Sequence, residues 1–254
     1  ELCEKGLHTL LLERGRNVEH IADYTTAMMN PWEFTNRLIL TQKDKEENPI
    51  QSTRYDEGCK HFFVDDKEHP YIQDKPFLWI RGYQVGGRSL TWGRQCYRWS
   101  DLDFGANLND GYGVDWPIRY PDLRDWYQYV EEFIGVSGRK ENLPQLPDGD
   151  FQPPMELNCI EEFLADSLKK NHNDRVLTIA RVANLTKEIN GRGPCKNRNL
   201  CNRGCPFGAY FSSNSSTLPA AKTTGNLKLR PFSIVTEIIY DNNTQRAKGV
   251  RVID

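Results

Sequence analysis

"HTLLLERG", residues 8–15, is the stretch on which the fold turns. Leu10, Leu11 and Leu12 make an unbroken apolar run of strand length that closes on an acid, Glu13. Alternation would mark a strand with one wet face, whereas a continuous run marks a central strand of a parallel sheet, buried on both faces. A short helical pattern holding Leu2 and Cys3 precedes it and stops at Gly6, a residue that tolerates the positive φ of a helix end. So little chain lies ahead of this strand that residue 1 is expected to fall inside a domain, with a first strand, a glycine loop and most of a helix before it. In dinucleotide-binding folds the acid closing the second strand bonds the ribose hydroxyls, about 20 residues after the glycine fingerprint. Glu13 stands in that place; the plain alternative is a solvated acid at a strand end.

Composition narrows the function classes. With 254 residues, 38% hydrophobic and 27% charged, the chain has enough apolar material for one large or two smaller globular domains. The net charge of −2 and the lack of any like-charge block argue against a nucleic-acid surface. No apolar run is long enough for a transmembrane segment. Seven cysteines are an odd number, so at least one thiol is unpaired or bound to something else.

Further along, "FLWIRGYQVGGRSLTWGRQCYRW", residues 77–99, carries adjacent glycines, Gly86 and Gly87, followed by Ser89, Thr91, Trp92 and Gly93. Paired glycines let backbone lie against a phosphate or a flat ring, and they also simply make turns. Residues 101–121 are rich in Asp, Asn and Gly and are expected as loop. From Pro121 onward Leu123, Trp126, Tyr127, Val130, Phe133 and Ile134 recur at helical spacing, ending at Gly135 and Gly138. A proline-rich linker is expected over 139–158, then a second amphipathic helix in "CIEEFLADSLKKN", residues 159–171. Residues 232–253 alternate as two strands about an Asn-Asn-Thr turn, a hairpin whose last strand still needs a partner, so a truncated C-terminal side is expected too.

In "GPCKNRNLCNRGCPFGA", residues 193–209, Cys195, Cys201 and Cys205 stand close together. A disulfide would leave one thiol over, and zinc would need a fourth ligand such as Cys159. Thiolate ligation of an iron–sulfur cluster suits three cysteines closing on C-x3-C-P, with one ligand for each iron of a three-iron cluster.

Taken in order, these segments resemble the glucose–methanol–choline (GMC) family of flavin oxidoreductases over nearly the whole chain. "LLLERG" looks like its second strand, "VGGRSLTWG" like its glycine-rich flavin segment, "DWPIRYPDLRDWYQYVEEFIGVSG" like its Asp-Trp-Pro pattern running into a helix, and "NLKLRPFSIVTEI" like the strand pair near adenine. The resemblance implies an α/β fold with α+β elements: a Rossmann-like FAD-binding domain over 1–100, an inserted, partly helical substrate domain over 101–190, and a return to the FAD-binding strands over 191–254 after the cysteine loop. By the same match Glu13 would bind the adenosine ribose, Gly86, Gly87, Ser89, Trp92 and Gly93 would line the flavin, and Val235 would meet the adenine.

Arg88 and Trp92 depart from the commoner Gly-Gly-Ser-Ser and asparagine pattern, and so resemble the subgroup of bacterial sugar and polyol dehydrogenases. Thr91 stands where some of that subgroup carry a flavin-linking histidine, so non-covalent FAD is implied. The family's catalytic histidine is expected beyond residue 254, and none of His8, His20, His61, His69 or His172 sits in a matching context. Similar dehydrogenases hold a three-cysteine 3Fe–4S cluster before a Gly-Ala segment, which would place Cys195, Cys201 and Cys205 as ligands. The implied activity is hydride transfer from a sugar, polyol or other alcohol to flavin, with electrons passed through the cluster to a cytochrome or a small companion subunit. The rival readings are a non-catalytic flavin- or metal-binding fragment with a structural thiol cluster, and an oxygen-using oxidase. Cytoplasmic and periplasmic locations both stay open, because any export signal would lie in the N-terminal segment expected before residue 1.

Overall fold

The computed structural model describes residues 1–172 and 174–254, which form two compact units. The first unit comprises residues 1–92, 198–206 and 212–254. Its strand β1 (Thr9–Leu12) starts after a turn closed by Gly6 at φ +79°. The short helix α1 (Gln42–Glu47) is capped by Thr41, whose hydroxyl accepts the Asp44 N–H at 3.0 Å.

The second unit comprises residues 93–197 and 207–211 and carries four helices. Where loop was expected, residues 101–110 form α2 (Asp101–Phe104) and α3 (Ala106–Asp110). The reason is a capping box. Ser100 Oγ accepts the Leu102 N–H while Asp103 accepts the Ser100 N–H at 2.7 Å, enough to start a helix from polar residues. Helix α4 (Tyr120–Ile134) has Pro121 in its first turn and Gly135 at φ +78° after its last residue. A Cβ at Gly135 would lie 2.1 Å from Leu185 Cδ2, so glycine is needed there both for the turn and for packing. Helix α5 (Cys159–Asn171) begins where Asn158 Oδ1 accepts the Ile160 and Glu161 N–H groups, and it ends with Lys169 and Lys170 against its negative pole.

The stretch expected as a linker is fastened instead. Arg98, 3% exposed, donates Nε–H to both Glu131 oxygens at 3.0 and 3.1 Å, and Nη1–H to the Tyr120 hydroxyl and the Asp148 carbonyl. Arg181, 1% exposed, donates to the Pro147 carbonyl at 2.6 Å and to Asp148 Oδ1 at 2.5 Å, with its guanidinium 4.7 Å from the Phe151 ring centroid. Two buried guanidiniums thus hold residues 139–151 with charge-assisted bonds in place of an apolar core.

Returning to the first unit, α6 (Thr217–Thr223) leads through Gly225 into β2 (Leu227–Arg230). Strand β2 pairs with β1 in parallel, Thr9 opposite Leu227 and Leu12 opposite Arg230. The expected burial of β1 on both faces is not met: Leu10 is 54% and Leu11 40% exposed. Among the described residues β1 has β2 as its one strand neighbour, which leaves its side chains open. Strands β3 (Ile234–Asp241) and β4 (Arg246–Ile253) form the antiparallel hairpin anticipated from the alternation. The core of this unit gathers Val18, Tyr24, Ala27, Phe62 and Leu90, with the Tyr24 and Phe62 rings edge to face at 6.2 Å. Among the described residues no helix is long and apolar enough to cross a membrane.

Candidate cofactor site

Three backbone stretches of the first unit meet at the end of β1. Glu13 donates its N–H to the Arg230 carbonyl at 3.0 Å, and the Glu13 and Gly15 carbonyls accept the N–H groups of Ser233 and Phe232 at 2.8 and 2.9 Å. Residues 13–15 therefore carry the β1 pairing onward into the approach to β3. Gly15 brings in the third stretch, because a Cβ there would stand 1.7 Å from the Tyr83 carbonyl oxygen. Arg16 bridges Gln84 in parallel, and its carbonyl accepts the Val85 N–H at 2.9 Å.

Glu13 is half-buried at this junction. Its Oε1 accepts the Gly15 N–H at 2.7 Å, and its Oε2 has no hydrogen-bond partner among the described residues. The carboxylate is thereby oriented by its own backbone and keeps one oxygen able to accept from a hydroxyl. Val235, 44% exposed, lies at the start of β3, two residues past the Ser233 that bonds Glu13.

Immediately after Val85 the chain turns through Gly86 at φ +95° and Gly87 at φ +47° into a tight turn over Gly87–Leu90. Leu90 is fully buried and anchors the turn in the core. Ser89 Oγ donates to the Gly86 carbonyl at 2.5 Å and accepts the Ser213 N–H at 3.0 Å, so its hydroxyl is engaged within the protein. The two glycines differ. A Cβ at Gly86 would lie 1.8 Å from Asn214 Oδ1, whereas one at Gly87 would meet only the Gly82 carbonyl oxygen at 3.9 Å. Gly87 is the open one. Trp92 is half-buried at the end of this stretch, and Arg88 donates to Thr91 Oγ1 at 2.8 Å. Gly93, in the second unit, is exposed, and a Cβ there would meet nothing within 4 Å.

The family model for GMC oxidoreductases matches residues 58–254, which include the glycine turn, both arginine anchors, β2 and the hairpin. The chain belongs to the GMC oxidoreductase family. It is also similar to the fructose dehydrogenase large subunit of Gluconobacter japonicus, at 24% identity over 260 residues. That alignment covers 92% of this chain and 42% of the relative, so the chain spans less than half the length of that protein.

Membership of this family implies FAD. The first unit fits it on two counts: Glu13 keeps a carboxylate oxygen without a partner among the described residues at the strand end, and Gly87 has only the Gly82 carbonyl oxygen, at 3.9 Å, near the place of a Cβ. Thr91 offers a neutral hydroxyl that accepts from Arg88 at 2.8 Å.

The cysteines give an iron–sulfur cluster no comparable support. Cys195 belongs to the second unit and Cys201 and Cys205 to the first, and among the described residues no three His, Cys, Asp or Glu side chains are grouped as a metal requires. Cys195 Sγ instead accepts the Asn197 N–H at 3.4 Å. Residues 198–206 are tied to the first unit by arginines: Arg198 donates to the Ala27 carbonyl at 2.6 Å and Arg203 to the Met29 carbonyl at 2.9 Å. Gly204, at φ +88°, sits so close to the Tyr24 ring that a Cβ would be 2.4 Å away. Among the described residues the cysteines form no disulfide, and burial pushes the Cys59 and Cys96 thiols up to about 11, which keeps them protonated. This arrangement lends the 3Fe–4S assignment of Cys195, Cys201 and Cys205 no support.

The histidines offer little chemistry at this junction. His61 is pushed down to about 4, by burial first and then by the positive charge of Arg16, and its Nε2 is buried without a partner among the described residues. His20 shares a 3.0 Å hydrogen bond with the Tyr24 hydroxyl. Two groups escaped the sequence reading: the Arg98–Glu131 and Arg181–Asp148 pairs, and Asn214. Their one signal was residues 211–216, "FSSNSS", where four of six residues are serine yet 212 and 214–216 are buried.

Proposed function

We propose that this chain is the flavin-binding part of an FAD-dependent dehydrogenase acting on a CH–OH group of a sugar or polyol. The observation that carries the reading is the Gly86–Ser89 turn, entered through left-handed backbone at Gly86 and Gly87 inside the family-matched span and open over Gly87. FAD, when bound, supplies the hydride acceptor. The protein's contribution is placement. Glu13 accepts from the ribose hydroxyls through its remaining oxygen, the Gly87 backbone admits a flat ring at close range, the exposed Gly93 is assigned a flavin contact of its own, and the backbone at Val235 borders the adenine.

The similarity to a subunit named for fructose supports a sugar or polyol as the substrate class, and a large subunit by name supports a companion subunit as partner. We assign substrate contact to the second unit, whose cleft of about 660 Å³ carries Glu156, Glu161, Thr186 and Asn197 beside Met155 and Leu157. Such a wall offers both hydroxyl partners and apolar contact. No proton transfer is assigned to the five histidines, and no electron step is routed through the cysteines.

The test is anaerobic mixing of the full-length protein with a panel of ketoses, aldoses and polyols while the visible flavin absorbance is followed. Bleaching by one or more of them, reversed faster by an artificial acceptor than by air, is expected. Bound flavin that no CH–OH compound bleaches contradicts the substrate class, and rapid reoxidation by air replaces dehydrogenase with oxidase.

A further inference from the structure

Asn214 is 5% exposed and lies on no catalytic motif, yet it touches the glycine turn more intimately than any other side chain. Its Nδ2 donates to two carbonyls from different stretches, Val18 at 2.7 Å and Val85 at 3.1 Å. Its Oδ1 occupies the place where a Cβ at position 86 would stand, 1.8 Å from that ideal atom. One residue earlier, the Ser213 N–H reaches Ser89 Oγ at 3.0 Å. Residues 213–214 therefore grip the turn before it, at its centre and after it.

Asn214 borders a pocket of about 150 Å³ together with Val18, Val85, Leu218 and Leu229, so its hydrogen bonds as well as its contact with Gly86 hold the turn. Oδ1 is buried without a hydrogen-bond partner among the described residues. A buried carbonyl left without a donor is disfavoured, and such groups are retained where a geometric constraint outweighs the cost. Here the constraint is the conformation of Gly86.

We propose that Asn214 is a positioning residue for the cofactor. By bonding the Val18 and Val85 carbonyls and filling the Cβ place of residue 86, it holds the Gly86–Gly87 turn in the left-handed form whose backbone faces the flavin. The proposal rests on the flavin reading given above. Asn214 acts through the turn and touches no reacting atom.

The experiment compares full-length wild type with Asn214→Asp, Asn214→Ala and the control Thr223→Ala, whose exposed hydroxyl bonds only the Ala220 carbonyl. Asn214→Asp keeps the volume but turns a carboxylate oxygen toward two carbonyl oxygens. FAD affinity is read from quenching of flavin fluorescence, and the reduction potential of bound flavin is read alongside. Both Asn214 variants are expected to bind FAD at least about tenfold more weakly, with a shifted potential, and Thr223→Ala to match wild type. Wild-type affinity and potential in both Asn214 variants would overturn the proposal. A wild-type protein that binds no FAD would overturn the flavin reading itself, a distinguishable result.

Should the single variants unfold, Gly86→Ala and the pair Gly86→Ala/Asn214→Gly decide. Removing the carboxamide makes room for the new Cβ, so the pair is expected to bind FAD more tightly than Gly86→Ala alone. Losses that simply multiply would contradict the proposal.

Discussion

The glycine turn of the first unit and the arginine knot of the second both fix irregular backbone, and they do so by opposite chemistry. At residues 85–89 the means are left-handed glycines, one serine hydroxyl and one carboxamide, all uncharged. Around Arg98 and Arg181 the means are buried ion pairs whose donors point back at Glu131, Asp148 and nearby carbonyls. The knot turns its hydrogen bonds inward and holds residues 139–151 in place. The turn, in contrast, leaves Gly87 open and stands beside a carboxylate with an oxygen to offer, Glu13. The backbone proposed to receive the flavin is fixed by neutral groups, while the one around residues 139–151 is fixed by charge.

The sharpest way to break this comparison is Glu131→Gln. It leaves the Arg98 guanidinium buried without its counter-charge, and breaking such a pair costs about 3–5 kcal/mol. A urea unfolding midpoint close to wild type would show that the knot is not what holds the second unit. Next comes Gly93→Ala, which separates protein from ligand. No protein atom lies within 4 Å of the added Cβ, so thermal stability should stay within about 0.5 kcal/mol of wild type while FAD binding weakens by about tenfold. Unchanged FAD affinity would remove Gly93 from the site. Glu13→Gln should weaken FAD by roughly five- to tenfold, the scale of one charge-assisted hydrogen bond exchanged for a neutral one. An equal affinity would return Glu13 to the role of a self-capped strand end.

The smallest effect concerns pH. His61 has a folded value of about 4 against an ordinary 6.5, so between those values the unfolded chain binds the extra proton. Its contribution is fully present above pH 6.5 and is lost as pH falls toward 4. His61→Gln should therefore flatten the fall of the melting temperature between pH 7 and roughly 4.5. An identical slope in the variant would show that His61 does not drive it.

These regions were unequally legible in the amino-acid sequence. Helices α4 and α5 and the β3–β4 hairpin repeat one period over many residues and close on glycine, asparagine or a turn, so their limits could be read directly. Helices α2 and α3 were too short for a period to show, and only the Ser100–Asp103 pair marks them. The parallel partner of β1 sits at the far end of the chain, at 227–230, where nothing local announces the pairing. Within the site, the glycine pair and Glu13 stand out by residue type. Asn214 does not, since its importance comes from meeting Val18, Val85 and Gly86 across long sequence distances. The cysteines stand close in sequence, and among the described residues they are not part of a metal-binding group.

The most direct test of the central claim is the flavin content of the purified full-length protein after acid precipitation. The account predicts about one FAD per chain, released into the supernatant, as a site built of glycine backbone and Glu13, without a linking histidine at position 91, requires. Protein without flavin would contradict the cofactor reading, and flavin left in the pellet would contradict its non-covalent hold.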